Sequence, residues 1–316
     1  MNEATLPFHP DRGEQLARRT RVAGRGERNH VPYDYTDDIV VAVNAALSTD
    51  RPLLLRGEPG CGKSSMARDV AIALDRDFDD KVITSRTTAT DLLWTFDAVH
   101  RLSDTTALPD KARDPGNYVK PGILWRAFSP DAGHATGRDM VVLIDEIDKA
   151  DPDVPNDLLV TLGEGRFTVT DAESPVEVTR RRSVLVIITT NGERELPPAF
   201  LRRCVSVTLD DPSKDGKRLE AIARRHLAAA ARDGNQAEPE LDKKVLAGIV
   251  ARVKMLADGL GPMGRRPGTA EILDALKAAV ALGIGPDSDD WLRLTRVLLY
   301  KESGNPDAAA SLEDAE

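Results

Sequence analysis

Cysteine and histidine are scarce in this sequence, and neither is clustered. Cys61 and Cys204 are the two cysteines among 316 residues, so the chain offers neither a disulfide framework nor a cysteine-rich metal site. A reducing compartment, most simply the cytoplasm, is therefore expected. The histidines stand singly, which favours structural or solvated roles over metal ligation: His9, His30, His100, His134 and His226.

Long apolar runs are missing as well. No segment approaches the ~20 consecutive apolar residues of a membrane-spanning helix, and the amino terminus has no apolar signal core. The net charge of −9 provides no overall positive field to attract nucleic acid, although the arginines at 180–182 leave room for a local basic stripe. With 41% hydrophobic residues, the chain has enough apolar side chains for one large or two smaller domains.

A phosphate-binding pattern is present at residues 57–64, which read GEPGCGKS and match G-x-x-x-x-G-K-[ST]. The apolar segment at 52–56 predicts a buried strand before it, and the spacing at 65–74 predicts a helix after it. Glycines let backbone amides surround a phosphate at the helix N-terminus. Lys63 is expected to neutralise the β- and γ-phosphate oxygens of ATP, and Ser64 to ligate Mg²⁺.

An ordinary glycine-rich turn is the alternative, which the strand–loop–helix context disfavours. The residues expected to contact the nucleotide here are Gly57, Glu58, Pro59, Gly60, Cys61, Gly62, Lys63, Ser64 and Ser65.

Two carboxylates follow an apolar segment at 140–144. A fully apolar run suits a central parallel strand, and ligands gather at the carboxyl ends of such strands. Asp145 is therefore expected to hold Mg²⁺ through water, and Glu146 to polarise the water that attacks ATP. Acidic residues often begin ordinary loops, so this interpretation depends on the phosphate loop that precedes it.

Alternating strand and helix signals predict a three-layer α/β core with a parallel sheet, the architecture of P-loop NTPases. The predicted strands are 52–56, 81–85, 140–145, 184–190 and 204–209, with a β-hairpin around the turn at 171–175. The predicted helices are 36–47, 65–74, 89–100, 122–128, 151–162 and 197–202, and the polar residues 101–120 are expected to form a long loop or an insertion.

Four regions are expected along the chain. Residues 1–30 are polar and arginine-rich, which predicts a flexible N-terminal arm, and residues 31–212 are expected to form the nucleotide-binding core. After Pro212 the chain becomes rich in alanine and leucine at helical spacing, which predicts a small all-α lid domain over 213–302. Its predicted helices are 215–232, 240–258, 268–283 and 289–302, and the polar end at 303–316 is expected to be disordered.

These features together resemble the AAA+ ATPases over about residues 31–300. Within that class, the sequence resembles the MoxR-type ATPases, which belong to the helix-2-insert clade. The resemblance rests on LIDEIDKA at 143–150, on EGRF at 164–167, on the hairpin before the strand at 184, and on an insertion that ends in PGIL at 121–124.

The resemblance implies roles for further residues. Asn191 resembles the sensor that orients water against the γ-phosphate, because it ends a buried strand. Arg203, with Arg202 as the second choice, resembles an arginine finger supplied to a neighbouring subunit. Arg266, or else Arg265, resembles a second sensor that opens a lid helix. A structural Asn, a solvated arginine pair and a basic turn are the respective alternatives.

The same resemblance implies a function. An ATP-hydrolysing chaperone is expected, working as a homo-oligomeric ring, most simply a hexamer, on a client or a protein with a von Willebrand factor type A domain. Residues 31–33 correspond to the segment that flanks the adenine. The alternatives are a nucleic-acid-acting ATPase of a restriction or anti-phage system, to which residues 180–182 would contribute, and a nucleotide-gated scaffold with little turnover.

Two polar segments are candidate contacts for a partner. They are the insertion at 101–120 and the hairpin tip at 171–175, and either could equally be solvated loop. Their acidic residues include Asp104, Asp110, Asp171 and Glu173. Residues 118–122 (YVKPG) resemble only loosely the aromatic–hydrophobic–glycine pore loop of protein-threading AAA+ machines, so processive unfolding is not expected.

Overall fold

The computed structural model describes residues 7–24, 31–132, 137–233, 268–285 and 288–299. The chain forms two compact units. Among the described residues, the first unit contains 7–24, 32–57, 63–132 and 137–209, and the second contains 31, 58–62, 210–233, 268–285 and 288–299. No helix within these described ranges is both long and apolar enough to cross a bilayer.

A five-stranded parallel sheet organises the first unit, which confirms the predicted α/β fold. The strands found among the described residues of this unit are β1 Leu53–Arg56, β2 Asp77–Val82, β3 Trp94–Phe96, β4 Val119–Pro121, β5 Met140–Asp145, β6 Arg166–Val169, β7 Val176–Thr179, β8 Val184–Thr190 and β9 Val205–Thr208. The order in the main sheet is β2-β5-β8-β1-β9, while β3–β4 and β6–β7 form separate antiparallel pairs. The β6–β7 pair is the predicted hairpin.

The helices of the first unit flank that sheet. They are α1 Gly13–Gly24, α2 Asp37–Thr49, α3 Lys63–Leu74, α4 Ala89–Leu93, α5 Ala98–Ala107, α6 Pro109–Arg113, α7 Ile123–Phe128, α8 Asp153–Glu164 and α9 Pro198–Arg203. The predicted helices at 36–47, 65–74, 122–128, 151–162 and 197–202 are present with shifted ends. Asp151 accepts the Asp153 N–H at 3.1 Å at the start of α8.

Burial explains which strands the sequence reveals. Every residue of β8 is buried, and so are the first five of β5, as expected for central parallel strands. The strand predicted at 81–85 instead lies at Asp77–Val82, because β2 is the polar edge of the sheet and half of its residues are exposed. An edge strand needs apolar residues on one face at most, so its hydrophobic pattern is too weak to predict the strand.

The amino-terminal segment differs from the expected flexible arm over residues 7–24. Phe8 is fully buried, and its N–H donates to Asn44 Oδ1 at 2.9 Å. In α1, Arg19 is 1% exposed and its Nε donates to Asp69 Oδ2 on α3 at 2.7 Å. A buried ion pair holds this helix, which hydrophobic patterning cannot reveal.

Of the two predictions for residues 101–120, the structure shows a folded insertion and not a long loop, while the prediction of one helix over 89–100 is wrong. The chain forms α4, β3, α5 and α6 and returns through β4 to pair with β3. Its small interior is polar: Tyr118 is 2% exposed, and its hydroxyl donates to Asp104 Oδ2 at 2.8 Å. Lys111 Nζ reaches the same oxygen at 2.8 Å. Because hydrogen bonds between polar side chains hold this insertion together, its amino-acid composition is as polar as that of a loop.

The second unit is helical where it is described. Its helices are α10 Gly216–Asp233, α11 Thr269–Leu282 and α12 Asp289–Leu299, close to three of the predicted four. Their core contains Leu219, Ala223, Leu227, Ile272, Leu276 and Trp291. The helix predicted at 240–258 and the tail at 303–316 lie outside the described residues.

Candidate functional site

Parallel pairing brings polar residues together at the carboxyl edge of the sheet. The register pairs Ile144 of β5 with Ile188 of β8, and Leu55 of β1 with Thr189 of β8. The next residue of β5, Asp145, therefore lies beside Thr189. This edge is where ligands bind in open α/β sheets.

Lys63 links the phosphate loop to the predicted sensor. It is the first residue of α3, and its side chain is buried although it carries a charge. Its Nζ donates to the carbonyl oxygen of Gly57 at 2.7 Å and to Asn191 Oδ1 at 2.7 Å. The ammonium therefore points at the carboxyl edge, where a phosphate could take over such hydrogen bonds.

Ser64 and Asp145 converge in a way that suits a magnesium ion. The Ser64 hydroxyl donates to Asp145 Oδ2 at 2.7 Å. The other carboxylate oxygen, Oδ1, accepts a hydrogen bond from the Thr189 hydroxyl. Mg²⁺ prefers such hard oxygen ligands, commonly one or two carboxylates, so the residues present fit this ion.

Glu146 sits at a sharp turn directly after Asp145. Its backbone is left-handed, with φ 63°, and its N–H donates to Thr189 Oγ1 at 2.8 Å. Its carboxylate accepts from Lys149 Nζ at 2.7 Å and from Asn191 Nδ2 at 3.4 Å. The hydrogen bond with Glu146 raises the pKa of Lys149. Asn191 thus contacts both Lys63 and Glu146, as a residue that orients water would.

Asp148 fixes the segment that carries Asn191. Its side chain is buried, and Oδ2 accepts the N–H of Asn191 at 3.2 Å and the N–H of Glu193 at 3.0 Å. A carboxylate that receives two backbone hydrogen bonds holds the start of this loop in one position.

Three residues of this cluster were given no role from the sequence: Thr189, Asp148 and Lys149. A weak signal existed for Thr189, which is a polar residue near the end of an otherwise apolar run. Asp148 and Lys149 lie inside the LIDEIDKA segment, but their partners depend on how the chain turns after β5.

The middle of the phosphate loop, residues 58–62, belongs to the second unit. Gly60 and Gly62 have φ values of 84° and 95°, which side chains adopt with strain. The Cys61 N–H closes a turn to the Glu58 carbonyl at 3.3 Å. A Cβ on Gly268 would lie 2.9 Å from the carbonyl oxygen of Pro59, so a glycine allows this close approach ahead of α11.

The two candidate finger residues lie at the opposite edge of the sheet. Arg202 and Arg203 end α9 and are exposed, and neither side chain makes a hydrogen bond or ion pair within the described part of the chain. In β9, Val205 pairs with Leu53 and Thr208 pairs with Arg56, so Arg203 precedes the amino edge. About 16 Å of strand separates it from the level of Thr208, which puts it out of reach of its own cluster at Lys63.

The remaining residues that were expected to contact the nucleotide are Arg265, Arg266, residues 31–33 and Ser65. Arg265 and Arg266 lie outside the described residues. The segment at 32–33 is tied to α1, because Arg19 Nη2 donates to the carbonyl oxygen of Tyr33 at 2.5 Å. Ser65, the third residue of α3, is exposed.

The basic run at 180–182 is engaged inside the molecule. Arg180 pairs with Asp50, and Arg181 pairs with Asp131 at 2.5 Å. The side chain of Arg182 is 3% exposed and donates to the carbonyl oxygens of Ala127 at 2.7 Å and Arg126 at 2.6 Å. Arg180 and Arg182 are therefore largely covered, whereas the side chain of Arg181 is 56% exposed, so the run presents one arginine to solvent rather than three.

The candidate partner-contact residues differ in how they are placed: two are hydrogen-bonded within the fold and two are exposed. Asp104 is buried against Tyr118 and Lys111, and Asp171 accepts a 2.6 Å hydrogen bond from Trp94 Nε1. Burial and the hydrogen bond to Asp104 raise the pKa of Tyr118 to about 12. Asp110 and Glu173 are exposed. The buried Tyr118 cannot serve as a pore-loop aromatic.

Comparison with known proteins places this geometry in context. Residues 52–204 match the family model described as AAA domain (dynein-related subfamily). No protein among those with curated descriptions matches the sequence.

Solved structures share the fold at low sequence identity. NtrX from Brucella abortus in complex with ADP is 15% identical over 95% of this chain and 65% of its own, with a TM-score of 0.55. A second structure of this NtrX is 13% identical over 87% of this chain and 55% of its own, with a TM-score of 0.50. A point variant of RuvB from Thermotoga maritima scores 0.45 at 16% identity, over 82% of this chain and 66% of its own. The chain spans less than two thirds of either NtrX chain. The NtrX likenesses concern the fold alone, and the similarity to an AAA domain rests on the family-model match to residues 52–204.

Proposed function

We propose that this chain is an AAA+ ATPase that hydrolyses Mg-ATP at the subunit interfaces of a ring and remodels a partner protein. The separation of two half-sites is the observation that carries this proposal. Lys63, Glu146 and Asn191 meet at the carboxyl edge, while Arg203 is exposed at the amino edge. A finger that cannot reach its own cluster can act on a neighbouring copy. Head-to-tail contacts of that kind close into rings.

Each residue has a distinct role in this proposal. Lys63 neutralises charge on the β- and γ-phosphates, and Asn191 orients the attacking water. Glu146 accepts the proton from that water, and the neighbour's Arg203 stabilises the charge that develops in the transition state. Ser64 and Asp145 would hold Mg²⁺, which neutralises phosphate charge when bound. Residues 57–65 would surround the phosphates.

A MoxR-type partner role rests on the ordered insertion and the β6–β7 hairpin. Both project polar, exposed residues such as Asp110 and Glu173, and neither supplies a residue to the carboxyl-edge cluster. A separate protein with a von Willebrand factor type A domain is the proposed partner, and a hexamer the proposed ring. The ion pairs of residues 180–182 within the fold weaken the sequence feature that favoured nucleic acid, since only Arg181 keeps more than half of its side chain exposed.

The first experiment separates ATP binding from hydrolysis. Glu146→Gln is expected to bind Mg-ATP with near-normal affinity and to hydrolyse it at least ~10²-fold more slowly, the scale of a positioned base. Lys63→Ala is expected to lose most ATP affinity in calorimetry while its circular dichroism stays unchanged. Glu177→Gln, the same chemical change on the exposed hairpin, should behave like the parent protein. Near-normal turnover by Glu146→Gln would contradict the assignment.

The second experiment identifies the partner. Glu146→Gln should trap the ATP-bound assembly, so a pulldown with this variant from the source organism is expected to recover a protein with a von Willebrand factor type A domain. Recovery of DNA together with a nuclease would instead favour the nucleic-acid-acting alternative.

A further inference from the structure

The α9–β9 corner, residues 202–204, is held by a residue that no motif includes. Arg51 lies between α2 and β1, and its guanidinium donates to three consecutive carbonyl oxygens. Nε bonds the carbonyl of Arg203 at 3.0 Å, and Nη2 bonds those of Arg202 and of Cys204, the latter at 3.1 Å. These carbonyls end a helix of six residues, where backbone oxygens lack partners within the helix. A cation is also favoured there by the helix dipole.

The position of these bonds matters more than their number. The carbonyl of Arg202 belongs to the peptide plane before the Cα of Arg203, and the carbonyl of Arg203 belongs to the plane after it. One guanidinium therefore fixes both planes that flank Arg203 and sets the direction of its Cα–Cβ bond. Arg51 contacts the backbone on both sides of Arg203, so the side chain of Arg203 stays exposed.

The support for Arg51 is itself rigid. Asp50 ends α2 in a left-handed conformation with φ 54°, and its carboxylate pairs with Arg180 after the hairpin. The Arg51 N–H donates to the Ala46 carbonyl at 3.3 Å, and the Pro52 carbonyl accepts the Val205 N–H at 2.8 Å. The planar fork of arginine suits several fixed acceptors at once, whereas lysine presents its donors from a single nitrogen.

We infer that Arg51 is a positioning residue for the arginine finger, acting on the neighbouring subunit's ATP site through Arg203. This inference rests on the proposed function. It predicts an unusual behaviour: loss of Arg51 should impair the neighbour's site and leave the site of its own subunit intact. A residue that only stabilises the fold would impair its own subunit.

Isolated variants give the first readout. Arg51→Ala is expected to lower kcat by about 10- to 100-fold through misplacement of the finger, while the Kd for ATP stays within about twofold. Arg51→Lys should show a smaller loss, and it replaces Arg51→Ala if that variant does not fold. Arg113→Ala, which removes an exposed arginine paired with Asp110 on the insertion, should leave basal turnover unchanged. An Arg51→Ala protein with more than half the parent activity would overturn the inference.

Mixed assemblies give the decisive readout. Differently tagged variants are co-expressed and purified through both tags, so that only mixed assemblies are assayed. Arg51→Ala with Glu146→Gln should regain activity, because some interfaces combine an intact Glu146 with an intact finger. Arg51→Ala with Arg203→Ala should stay inactive, because every finger in that mixture is defective. Recovery in the second mixture, or none in the first, would overturn the role of Arg51.

The Arg203→Ala with Glu146→Gln mixture separates this inference from the proposed function. If it regains activity while Arg51→Ala with Glu146→Gln does not, the interface finger stands and the positioning role of Arg51 fails. If it stays inactive, the interface finger itself fails, and the positioning role fails with it.

Discussion

Thr189 binds one carboxylate directly and the backbone of the residue that carries the other. Its hydroxyl donates to Asp145 Oδ1 and accepts the N–H of Glu146 at 2.8 Å. The side chain of Thr189 is fully buried, so loss of its hydroxyl would leave both groups without this partner. A single hydroxyl therefore orients the residue that would hold Mg²⁺ and the residue that would activate water.

Replacing that hydroxyl tests its role. Thr189→Val keeps the shape of the side chain and is expected to lower kcat about 10-fold, because each unsatisfied group costs about 1–3 kcal/mol. Thr190→Val is the matched control: it is the next buried residue of β8, and its hydroxyl accepts the Gly192 N–H at 3.0 Å without touching a carboxylate. Steady-state ATPase assays compare them. Equal effects would show that Thr189 acts only through packing.

His226 makes the stability of the chain depend on pH. Burial, followed by the positive charges of Lys277 and Arg225, lowers the pKa of His226 to about 4. The unfolded residue takes up a proton near its ordinary pKa of about 6.5, whereas the folded residue does so only near 4. Stability from the neutral form is therefore present above pH 6.5 and is lost as pH falls towards 4.

A variant that lacks only His226 measures this contribution. His226→Gln cannot be protonated, so its melting temperature should fall less between about pH 7.5 and about pH 5 than that of the parent chain. His100→Gln, at an exposed position of α5, controls for the loss of a histidine. Parallel falls for His226→Gln and the parent would assign the acid sensitivity to other groups.

At the scale of elements, apolar burial decides what could be predicted. The strands β1, β5 and β8, and the helix α3 after the phosphate loop, were predicted because their buried residues are apolar and periodic. The α1 helix and the insertion were not, because Arg19 with Asp69 and Tyr118 with Asp104 hold them. The pairing of such polar residues depends on tertiary structure, as does the role of Thr189.

Gly122 shows how tightly the base of the insertion is packed. A Cβ added there would lie 2.6 Å from the Leu92 carbonyl oxygen, so Gly122→Ala is expected to destabilise the protein by about 1–3 kcal/mol. Gly163→Ala is the matched control, since that glycine lies in α8 with nothing within 4 Å of the added Cβ. It should stabilise the helix by roughly 0.5–1 kcal/mol. Thermal melts that move both variants in the same direction would contradict this account.

The docking of α1 is tested by adjacent arginines. Arg19→Met removes the cationic partner of the fully buried carboxylate of Asp69, and it is expected to cost about 3–5 kcal/mol of stability. Arg18→Met removes a half-buried arginine whose carboxylate partner, Glu14, is exposed, and should cost less than about 1 kcal/mol. Urea unfolding measures both. Similar small losses would mean that residues 7–24 contribute little to the folded core.

At the scale of the whole molecule, the sheet direction separates the parts of the proposed ATP site. Lys63, Asp145 and Asn191 lie together at the carboxyl edge of the sheet, while Arg203 precedes β9 at the amino edge. No change of side-chain rotamer closes that gap, so the proposed activity requires a second copy. Assembly and hydrolysis should accordingly be lost together on dilution, in a measurement of turnover against protein concentration.

The most direct test of the central claim is the ATPase activity of assemblies that contain both Glu146→Gln and Arg203→Ala subunits. Each variant alone is expected to be inactive, and the mixture should regain activity, since about a quarter of the interfaces in an equal random mixture pair an intact Glu146 with an intact Arg203. A mixture of Glu146→Gln with Lys63→Ala should stay inactive, because both changes damage the same half-site. If purified mixed assemblies of Glu146→Gln and Arg203→Ala remain as inactive as their parents, ATP is not hydrolysed across the subunit interface.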